Sequence, residues 1–248
     1  MKMKHVLIGL LTCSSMLIAT TKNQDNATDL LRWKGFNLGI NSGVLINQTK
    51  GNVNPDGDLG ESPGRSDAWH YDNLGFTAGG QLGYKYQISH FVIGAETDFN
   101  YSYLDGTRHD NRTVPTDPGG SDLEEKVIHH LDWFGTVRPI IGVGFNTIFF
   151  YATGGFAYGR IRSYTEIIYR ADPYIGYDKD TKIGWSIGGG LEYGFCNKWS
   201  LKLEYLFIDL DNIGYRSFDT TGAQPTYYFY TKFKDEISAI RLALNWMF

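Results

Sequence analysis

Residues 183–210 constrain the fold of this chain more than any other stretch of its sequence. Large apolar side chains alternate there with small or polar ones, and the alternation resumes after a short turn at residues 196–198. A period of two residues is that of a β-strand, whose successive side chains point to opposite faces of a sheet. The apolar side chains of this predicted hairpin share one face: Ile183, Trp185, Ile187, Leu191, Tyr193, Phe195, Trp199, Leu201, Leu203, Tyr205 and Phe207.

The other face of the hairpin carries glycines, hydroxyls and charges of both signs. A soluble barrel of the lipocalin type would need the reverse arrangement, with the apolar side chains inside. The pattern is natural if the apolar face meets lipid and the small polar face lines a narrow barrel. The hairpin therefore favours a barrel that spans a membrane.

The same alternation recurs along the chain. It predicts eight strands, at residues 33–46, 74–87, 91–103, 130–145, 148–161, 183–195, 199–210 and 235–248. Short turns between them alternate with four long segments, residues 47–73, 104–129, 162–181 and 211–234, which are interpreted as surface loops. This layout predicts an all-β fold, an eight-stranded antiparallel up-and-down transmembrane β-barrel with four long surface loops. Both termini would then be periplasmic and the loops extracellular.

Two irregularities are expected in these strands. Pro139 has no N–H to donate to a ladder, so a bulge is predicted there. In the last strand Ile237 is assigned to the outer face together with Ile240, which requires the alternation to slip by one residue between them.

Three stretches, GWSIGGGLEYGFCNKWSLKLEYLFIDL, DWFGTVRPIIGVGFNTIFFYATGGFAYG and the final IRLALNWMF, resemble the small, porin-like outer-membrane β-barrel family. The similarity is greatest to the major surface antigens and haemin-binding outer-membrane proteins of alphaproteobacteria, and it runs from about Trp33 to Phe248. The resemblance implies a protein of the cell outer membrane. It leaves the activity open, because such families include adhesins, antigens, narrow porins and haem binders.

The segment before the first strand has the features of a targeting sequence. Lys2 and Lys4 precede a short apolar region, which predicts a signal peptide at residues 1–19 and a periplasmic leader at residues 20–32, before the barrel at residues 33–248. Removal of the signal would take away Cys13 and leave Cys196 as a single thiol. Whether Cys196 pairs between subunits stays open. The formal net charge of -4 gives no basic footprint for nucleic acid.

Aromatic side chains are expected to form a girdle at each membrane surface, as outer-membrane barrels require. The predicted girdle residues are Phe91, Phe145, Phe195, Trp199 and Phe248 near the short turns, and Tyr101, Tyr103, Tyr158 and Tyr205 near the long segments. The terminal Phe248 also resembles the signal that the outer-membrane assembly machinery recognises.

An eight-stranded barrel has room inside only for side chains. The predicted inward charges are of both signs: Lys85, Glu96, Asp98, Arg138, Glu192, Lys202, Glu204 and Arg241. A lone buried charge is costly, so these side chains are expected to form salt bridges that plug the lumen. Gly188 to Gly190 are interpreted as small residues of a tight wall.

Four histidines are candidates for a haem site, namely His129, His130, His70 and His109, together with Tyr71 and the aromatic residues 227–230. The alternative is that they are solvated and unrelated. The aromatic cluster could equally form an adhesive tip or pack within its own loop. Glu192 and Glu204 are better explained as lumen partners than as catalytic acids, so no catalytic or metal site is predicted.

These observations favour a structural or surface-interaction protein of the bacterial envelope, with no enzymatic activity. The alternatives are a haemin-binding surface receptor and a narrow porin for small solutes. The expected partners are outer-membrane lipid, the assembly machinery and a host or surface ligand that contacts the loops.

Overall fold

The computed structural model describes residues 33–57, 67–114, 121–196, 198–222 and 226–248. The predicted signal peptide and leader lie outside these residues. The described chain forms one closed antiparallel ring in the order β1-β2-β3-β4-β5-β6-β7-β8, with β1 paired to β8. The predicted eight-stranded barrel is confirmed. Among the described residues there is no helix long and apolar enough to cross a membrane.

The strands are β1 Gly35–Gly57, β2 Asp67–Ile88, β3 Phe91–Val114, β4 Ser121–Phe145, β5 Ile148–Tyr169, β6 Asp172–Cys196, β7 Trp199–Asp219 and β8 Tyr227–Met247. We call the end of the barrel where Gly35 and Met247 lie the near end, and the opposite end the far end. Two-residue turns join strands at the near end, where Ser89 and Asn146 adopt positive φ angles of 57° and 45°. Both residues accept the left-handed conformation that tight hairpins need.

The strands are much longer than a bilayer requires. Each has 21–25 residues, which corresponds to roughly 70–80 Å of strand and, at the usual tilt, a barrel roughly 55 Å tall. The apolar band of such a barrel is only about 25 Å tall. Roughly half of the barrel therefore stands outside the membrane, on the far side.

The four segments interpreted as long loops are largely strand, which corrects that part of the prediction. Residues 162–181, for example, form the paired ends of β5 and β6, joined by Arg170 and Ala171 with φ of 53° and 66°. These segments resemble loops in sequence because a strand outside the membrane is polar on its outer face. Along these segments buried residues still alternate with more exposed ones, and Leu123 and Val127 are among the buried ones.

Neither predicted irregularity is present: β4 has no bulge at Pro139, and β8 has no slip between Ile237 and Ile240. Pro139 stays in register with both neighbours, since the pairing with β5 keeps the same offset from Val137 to Ile140. The irregularity lies instead at Asp132, between Leu131 and Trp133, and it turns Leu131 inward.

In β8 the alternation does not slip. Ile237 is 1% exposed and faces the interior, whereas Ile240 faces outward. The ladders to β1 and β7 run without interruption past both residues.

The outer surface of the near half is an apolar belt. Its residues are the alternate side chains that the sequence assigns to the lipid face, such as Ile40, Ile93, Ile141, Ile187 and Leu242, which are half or more exposed. Toward the far end this belt gives way to charged side chains, such as Lys50 and Glu236, which pair across β1 and β8 at 3.1 Å.

The described residues form three apolar clusters that fill the interior at different heights. The near cluster contains Trp33, Val92, Ile140, Phe149, Tyr151 and Met247. The middle cluster is built from all eight strands except β6 and includes Leu45, Leu104, Phe134, Leu206 and Phe233. The far cluster contains Val53, Leu123, Ile167, Tyr169, Tyr174 and Phe229, with Tyr227 packed against it.

Two seams interrupt the ring in its far half. The β2–β3 ladder runs only from Phe76–Tyr103 to Ile88–Phe91. The β6–β7 ladder is interrupted between Ile175 and Gly184. In the described far half, two four-stranded sheets, β7-β8-β1-β2 and β3-β4-β5-β6, therefore face one another across the middle and far clusters.

Candidate functional site

The lumen of the near half holds all eight charged residues that the sequence places inside. Each is at most 2% exposed. They lie between the near cluster and the middle cluster, at the height of the apolar belt. The alternation positions them, because on each strand the neighbours of a lumen charge point into lipid.

One part of this network centres on Glu192. Its carboxylate accepts hydrogen bonds from Lys85 and Ser200, and from Asn245 Nδ2 at 3.0 Å. The Lys85 ammonium also lies over the rings of Trp33 and Phe149, at 5.5 and 5.2 Å. Lys85 therefore joins the network to the near cluster.

The other part centres on two arginines. Arg138 reaches Glu96, Asp98 and Glu204 at 2.9–3.2 Å. Arg241 contacts Asp98 at 3.1 Å and also Glu204. Two of the carboxylates are thus each shared between both guanidinium groups.

Lys202 and Tyr151 complete this part of the network. Lys202 Nζ donates to Glu96 Oε1 at 2.6 Å, and Tyr151 donates its hydroxyl to Glu204 Oε1 at 2.9 Å. Gly190 leaves the space for this arrangement, since a Cβ there would lie 2.8 Å from the Tyr151 hydroxyl.

The network contains four cations and four carboxylates, so its formal charge is zero. Neutrality matters because each ion loses its hydration on burial, and only close opposite charges offset that cost. Some polar atoms, including Glu96 Oε2 and Arg138 Nε, have no hydrogen-bond partner in the described structure. The arrangement fills the cross-section of the barrel with charge pairs.

A second polar group lies deeper in the far half, inside the middle cluster. His129 on β4 and Asp235 on β8 face each other across the interior, with Nε2 and Oδ2 2.7 Å apart. Asp235 Oδ1 accepts hydrogen bonds from Asn47 Nδ2 at 2.9 Å and Thr49 Oγ1 at 2.8 Å. Ser163 Oγ lies 3.1 Å from His129 Nδ1. We call these five residues the cross-sheet clasp, because they join the two four-stranded sheets.

The clasp stands outside the membrane, since the outward neighbours of Asp235 are the charged Lys234 and Glu236. Burial acts to raise the pKa of the Asp235 carboxyl, but His129 and the hydrogen bonds from Asn47 and Thr49 outweigh it. The pKa of Asp235 therefore lies below its ordinary value. The carboxylate is held in its charged form.

The structure does not bring the four candidate histidines together, which corrects the haem-site prediction. His129 faces the interior, whereas His130, its neighbour in the chain, faces outward and lies 2.5 Å from Asp105 Oδ1. His70 and His109 are exposed on the outer faces of β2 and β3. Among the described residues no three His, Cys, Asp or Glu side chains are placed to hold a metal ion.

Two arrangements could suggest catalysis. Glu192 and Glu204 are both neutralised by lumen cations. Ser163, His129 and Asp235 form a chain like that of a serine hydrolase, but all three side chains are 2% exposed and enclosed by the middle cluster. A nucleophile needs access to its substrate and donors for the oxyanion. The hydrogen-bond chain therefore suits a structural role.

The predicted girdle residues lie on the outer wall, and most are strongly exposed: Phe91, Phe145, Phe248, Tyr101, Tyr103 and Tyr205. Phe195, Trp199 and Tyr158 are half-buried on the same wall.

Four outward aromatic residues on β3, β4 and β5 touch one another, and we call them the aromatic shelf: Phe99, Tyr101, Trp133 and Tyr158. The ring centroids of Phe99 lie 5.4 Å from Tyr101 and 5.3 Å from Trp133, and Trp133 lies 6.1 Å from Tyr158. Trp133 is not among the predicted girdle residues.

The aromatic residues 227–230 divide between the two faces of β8. Phe229 is fully buried in the far cluster, whereas Tyr228 faces outward beside Phe218, with ring centroids 5.7 Å apart. The Arg216 guanidinium lies 5.0 Å from the Tyr228 ring. Together with Ile175, which pairs with Phe218, these outward residues form an exposed far-end patch.

The chain is similar in sequence to known outer-membrane proteins. The family model for the outer membrane protein beta-barrel domain matches residues 12–229. The chain is 32% identical over 224 residues to the 31 kDa outer-membrane immunogenic protein of Brucella melitensis biotype 1, with 89% of this chain and 85% of the relative covered. It is 28% identical over 139 residues to the 22 kDa outer membrane protein of Rhizobium leguminosarum bv. viciae, with 55% and 54% covered.

The solved structure of the outer membrane protease OmpT from Escherichia coli is similar in fold. Its TM-score is 0.50 at 10% identity, with 92% of this chain and 100% of that chain covered. At this identity the likeness concerns the fold alone.

Proposed function

Because the chain belongs to the outer membrane protein beta-barrel domain family, we propose that it is a closed, non-conducting barrel that holds a rigid contact surface outside the cell. The near half anchors the protein in the outer membrane, where family membership places it. The far half projects from the membrane and carries the surface that other molecules meet.

The observation that carries this proposal is the neutral eight-charge network. A porin needs a water-filled path, whereas here Arg138 and Arg241 bridge three carboxylates across the lumen. The near and middle clusters close the lumen on either side of the network. The described residues therefore leave solutes no polar path through the near half, which argues against the porin alternative.

The apolar belt supports an orientation with the near end in the periplasm and the far half outside the cell. The belt surrounds the near half, and the described chain enters and leaves the barrel at the near end, so the long half that stands out of the membrane is the one opposite to these ends. Phe248 at the near end is 61% exposed, and its N–H donates to Phe36 O at 3.0 Å. Such a terminal aromatic is accessible to the assembly machinery before the barrel closes.

The contact surface includes the far-end patch. Ile175 and Phe218 are 36% and 50% exposed in a region that stands in water rather than lipid. Exposed apolar groups in water commonly mark interaction sites. Their fixed positions on paired strands favour binding, because little conformational entropy is lost.

Measurement of the conductance across a lipid bilayer tests this proposal. The refolded protein is inserted into planar bilayers, and insertion is checked by protease protection of the near half in vesicles. We expect no current above the bare bilayer. Conductance steps of porin size would overturn the proposal of a closed barrel.

A variant gives the experiment a positive control. Arg138→Ala removes a cation that bridges three carboxylates, and we expect small, flickering conductance in the fraction that still folds. Lys182→Ala is the matched control, because Lys182 pairs at 2.8 Å with the exposed Asp180, where the β6–β7 ladder is interrupted, and takes no part in the network.

A further inference from the structure

The wall of the barrel has an open groove in the apolar belt beside the aromatic shelf. It has a volume of about 660 Å³ and crosses β1, β2 and β3. Its outward lining includes Leu38, Ile40, Leu82, Phe99 and Tyr158. The groove is therefore apolar along most of its length and ends at the shelf.

The pairing of strands explains why the groove exists. One row across the wall runs Ile40, Gly80, Phe99, Gly135 and Tyr158, each residue paired with the next. The two glycines leave two depressions in this row. The Tyr158 ring fills the one at Gly135, where a Cβ would lie 2.6 Å from its Cζ atom. The depression at Gly80 stays open, since the nearest atom to a Cβ there is Gly39 O at 3.7 Å.

A cation without an acidic partner lies at the shelf end of the groove. The Arg160 guanidinium sits 5.5 Å from the Trp133 ring, and no carboxylate of the described residues pairs with it. Of the acids on the adjoining strands, Asp132 and Asp180 flank the ladder partners of Arg160, which are Trp133 and Thr181. Both are already engaged, Asp132 by Arg162 Nε at 2.8 Å and Asp180 by Lys182 at 2.8 Å. Arg160 is thus free to receive an anion at the height where the apolar belt ends.

We propose that this groove and Arg160 form a binding site for one phosphorylated lipid of the outer leaflet. An acyl chain lies along the groove over Gly80, and the lipid phosphate pairs with Arg160. The proposal rests on the orientation given above, which puts Arg160 at the outer surface.

Three features of the site favour a phosphorylated lipid over other anions. The groove lies within the belt, where hydrocarbon chains are the solvent. Aromatic side chains such as Trp133 and Tyr158 prefer the headgroup level. A guanidinium there can bind a phosphate with two parallel hydrogen bonds. Free phosphate would use Arg160 but gain nothing from the groove.

Native mass spectrometry of the detergent-refolded barrel tests the proposal. The probes are diphosphorylated lipid A, the same lipid with its phosphates removed, and inorganic phosphate. Two variants each remove one half of the site: Arg160→Gln removes the charge and Gly80→Val fills the groove. Ala95→Val, on the same lipid-facing wall of β3 but outside the groove, and Lys179→Gln, an exposed lysine on β6, are the matched controls.

We expect one molecule of diphosphorylated lipid A to be retained by the wild type and by both controls. Near a membrane surface one Lys or Arg contributes about 1 kcal/mol, so Arg160→Gln is expected to weaken binding about fivefold. Gly80→Val is expected to weaken it by at least as much for either lipid. Only the heat-modifiable, folded fraction of each variant is compared.

Equal retention by wild type, Arg160→Gln and Gly80→Val would overturn the proposal. So would competition by inorganic phosphate as strong as by the lipid, because the groove would then contribute nothing. Neither outcome depends on whether the barrel conducts, so failure of the lipid site and failure of the closed-barrel proposal are distinguishable.

Discussion

At the scale of single residues, sequence predicts the inward position of some polar side chains of the interior and not of others. Period-two alternation identifies the eight lumen charges, because their neighbours are large and apolar. The same reasoning misplaces Ile237 and misses Asp235 as a buried group. In the far half both faces of a strand can carry polar residues, so the pattern no longer separates inside from outside.

The clasp makes stability depend on pH through Asp235. Its folded-state pKa is lowered from the ordinary 3.8, so its contribution is fully present above about pH 4 and is lost as the pH falls through the lower, folded value. Asp235→Asn is expected to reduce the free energy of unfolding at pH 7 by about 3 kcal/mol or more, because it leaves His129 without its partner. Urea unfolding in detergent at pH 7 and pH 3 measures both effects.

Asp209→Asn is the control for this prediction. Asp209 pairs with Lys234 on the outer surface at 2.8 Å, and such pairs contribute less than about 1 kcal/mol. A loss at Asp209→Asn equal to that at Asp235→Asn would show that the clasp does not join the sheets.

At the scale of strands, the glycines show how closely the elements approach. Gly190 on β6 faces the lumen, and a Cβ there would lie 2.2 Å from Leu203 O on β7. Gly80 on β2 faces lipid and has open space. Sequence identifies Gly190 as a small residue of a tight barrel wall and assigns no role to Gly80. Only the register of the strands shows that Gly190 has no room for a side chain and that Gly80 does.

Gly190→Val is therefore expected to abolish folding, because it displaces backbone on β7 and the Tyr151 hydroxyl. Gly80→Val, with the same added side chain, is expected to fold as the wild type does. Electrophoresis without boiling measures the folded fraction of each. Equal folded fractions for the two variants would contradict the register between β6 and β7.

Strand length is the other property that sequence underestimates. The predicted strands of 12–16 residues end where the outer face becomes polar, since the lipid-facing residues carry the signal. Beyond that point apolar residues recur on the inner face, as Leu123, Val127 and Leu131 do. These residues recur every four positions, as inward residues of a strand can, and Leu123 and Val127 lie in the part of β4 between its observed start at Ser121 and its predicted start at residue 130.

At the scale of the whole molecule, the barrel combines a continuous ring with a split far half. The amides of β2 in residues 67–75 and of β3 in residues 104–114 lack a ladder partner across the seam. The paired segments 76–88 and 91–103 lie in the membrane-embedded half. The far and near parts of β2 and β3 should therefore differ in how strongly their amides are protected from hydrogen exchange.

Hydrogen exchange of the protein in micelles measures this difference. We expect residues 67–75 and 104–114 to exchange at least about tenfold faster than the paired segments, because local opening there breaks fewer hydrogen bonds. The far part of β5, paired on both sides with β4 and β6, is the internal control. Uniform protection along β2 and β3 would contradict the seam.

The far-end patch has a consequence for immune recognition. Ile175, Phe218 and Tyr228 come from three strands and become neighbours only through strand pairing. An antibody against this surface would recognise a discontinuous epitope. It would bind the folded barrel and lose its target on boiling, whereas serum raised against linear peptides of the same segments would miss the native surface.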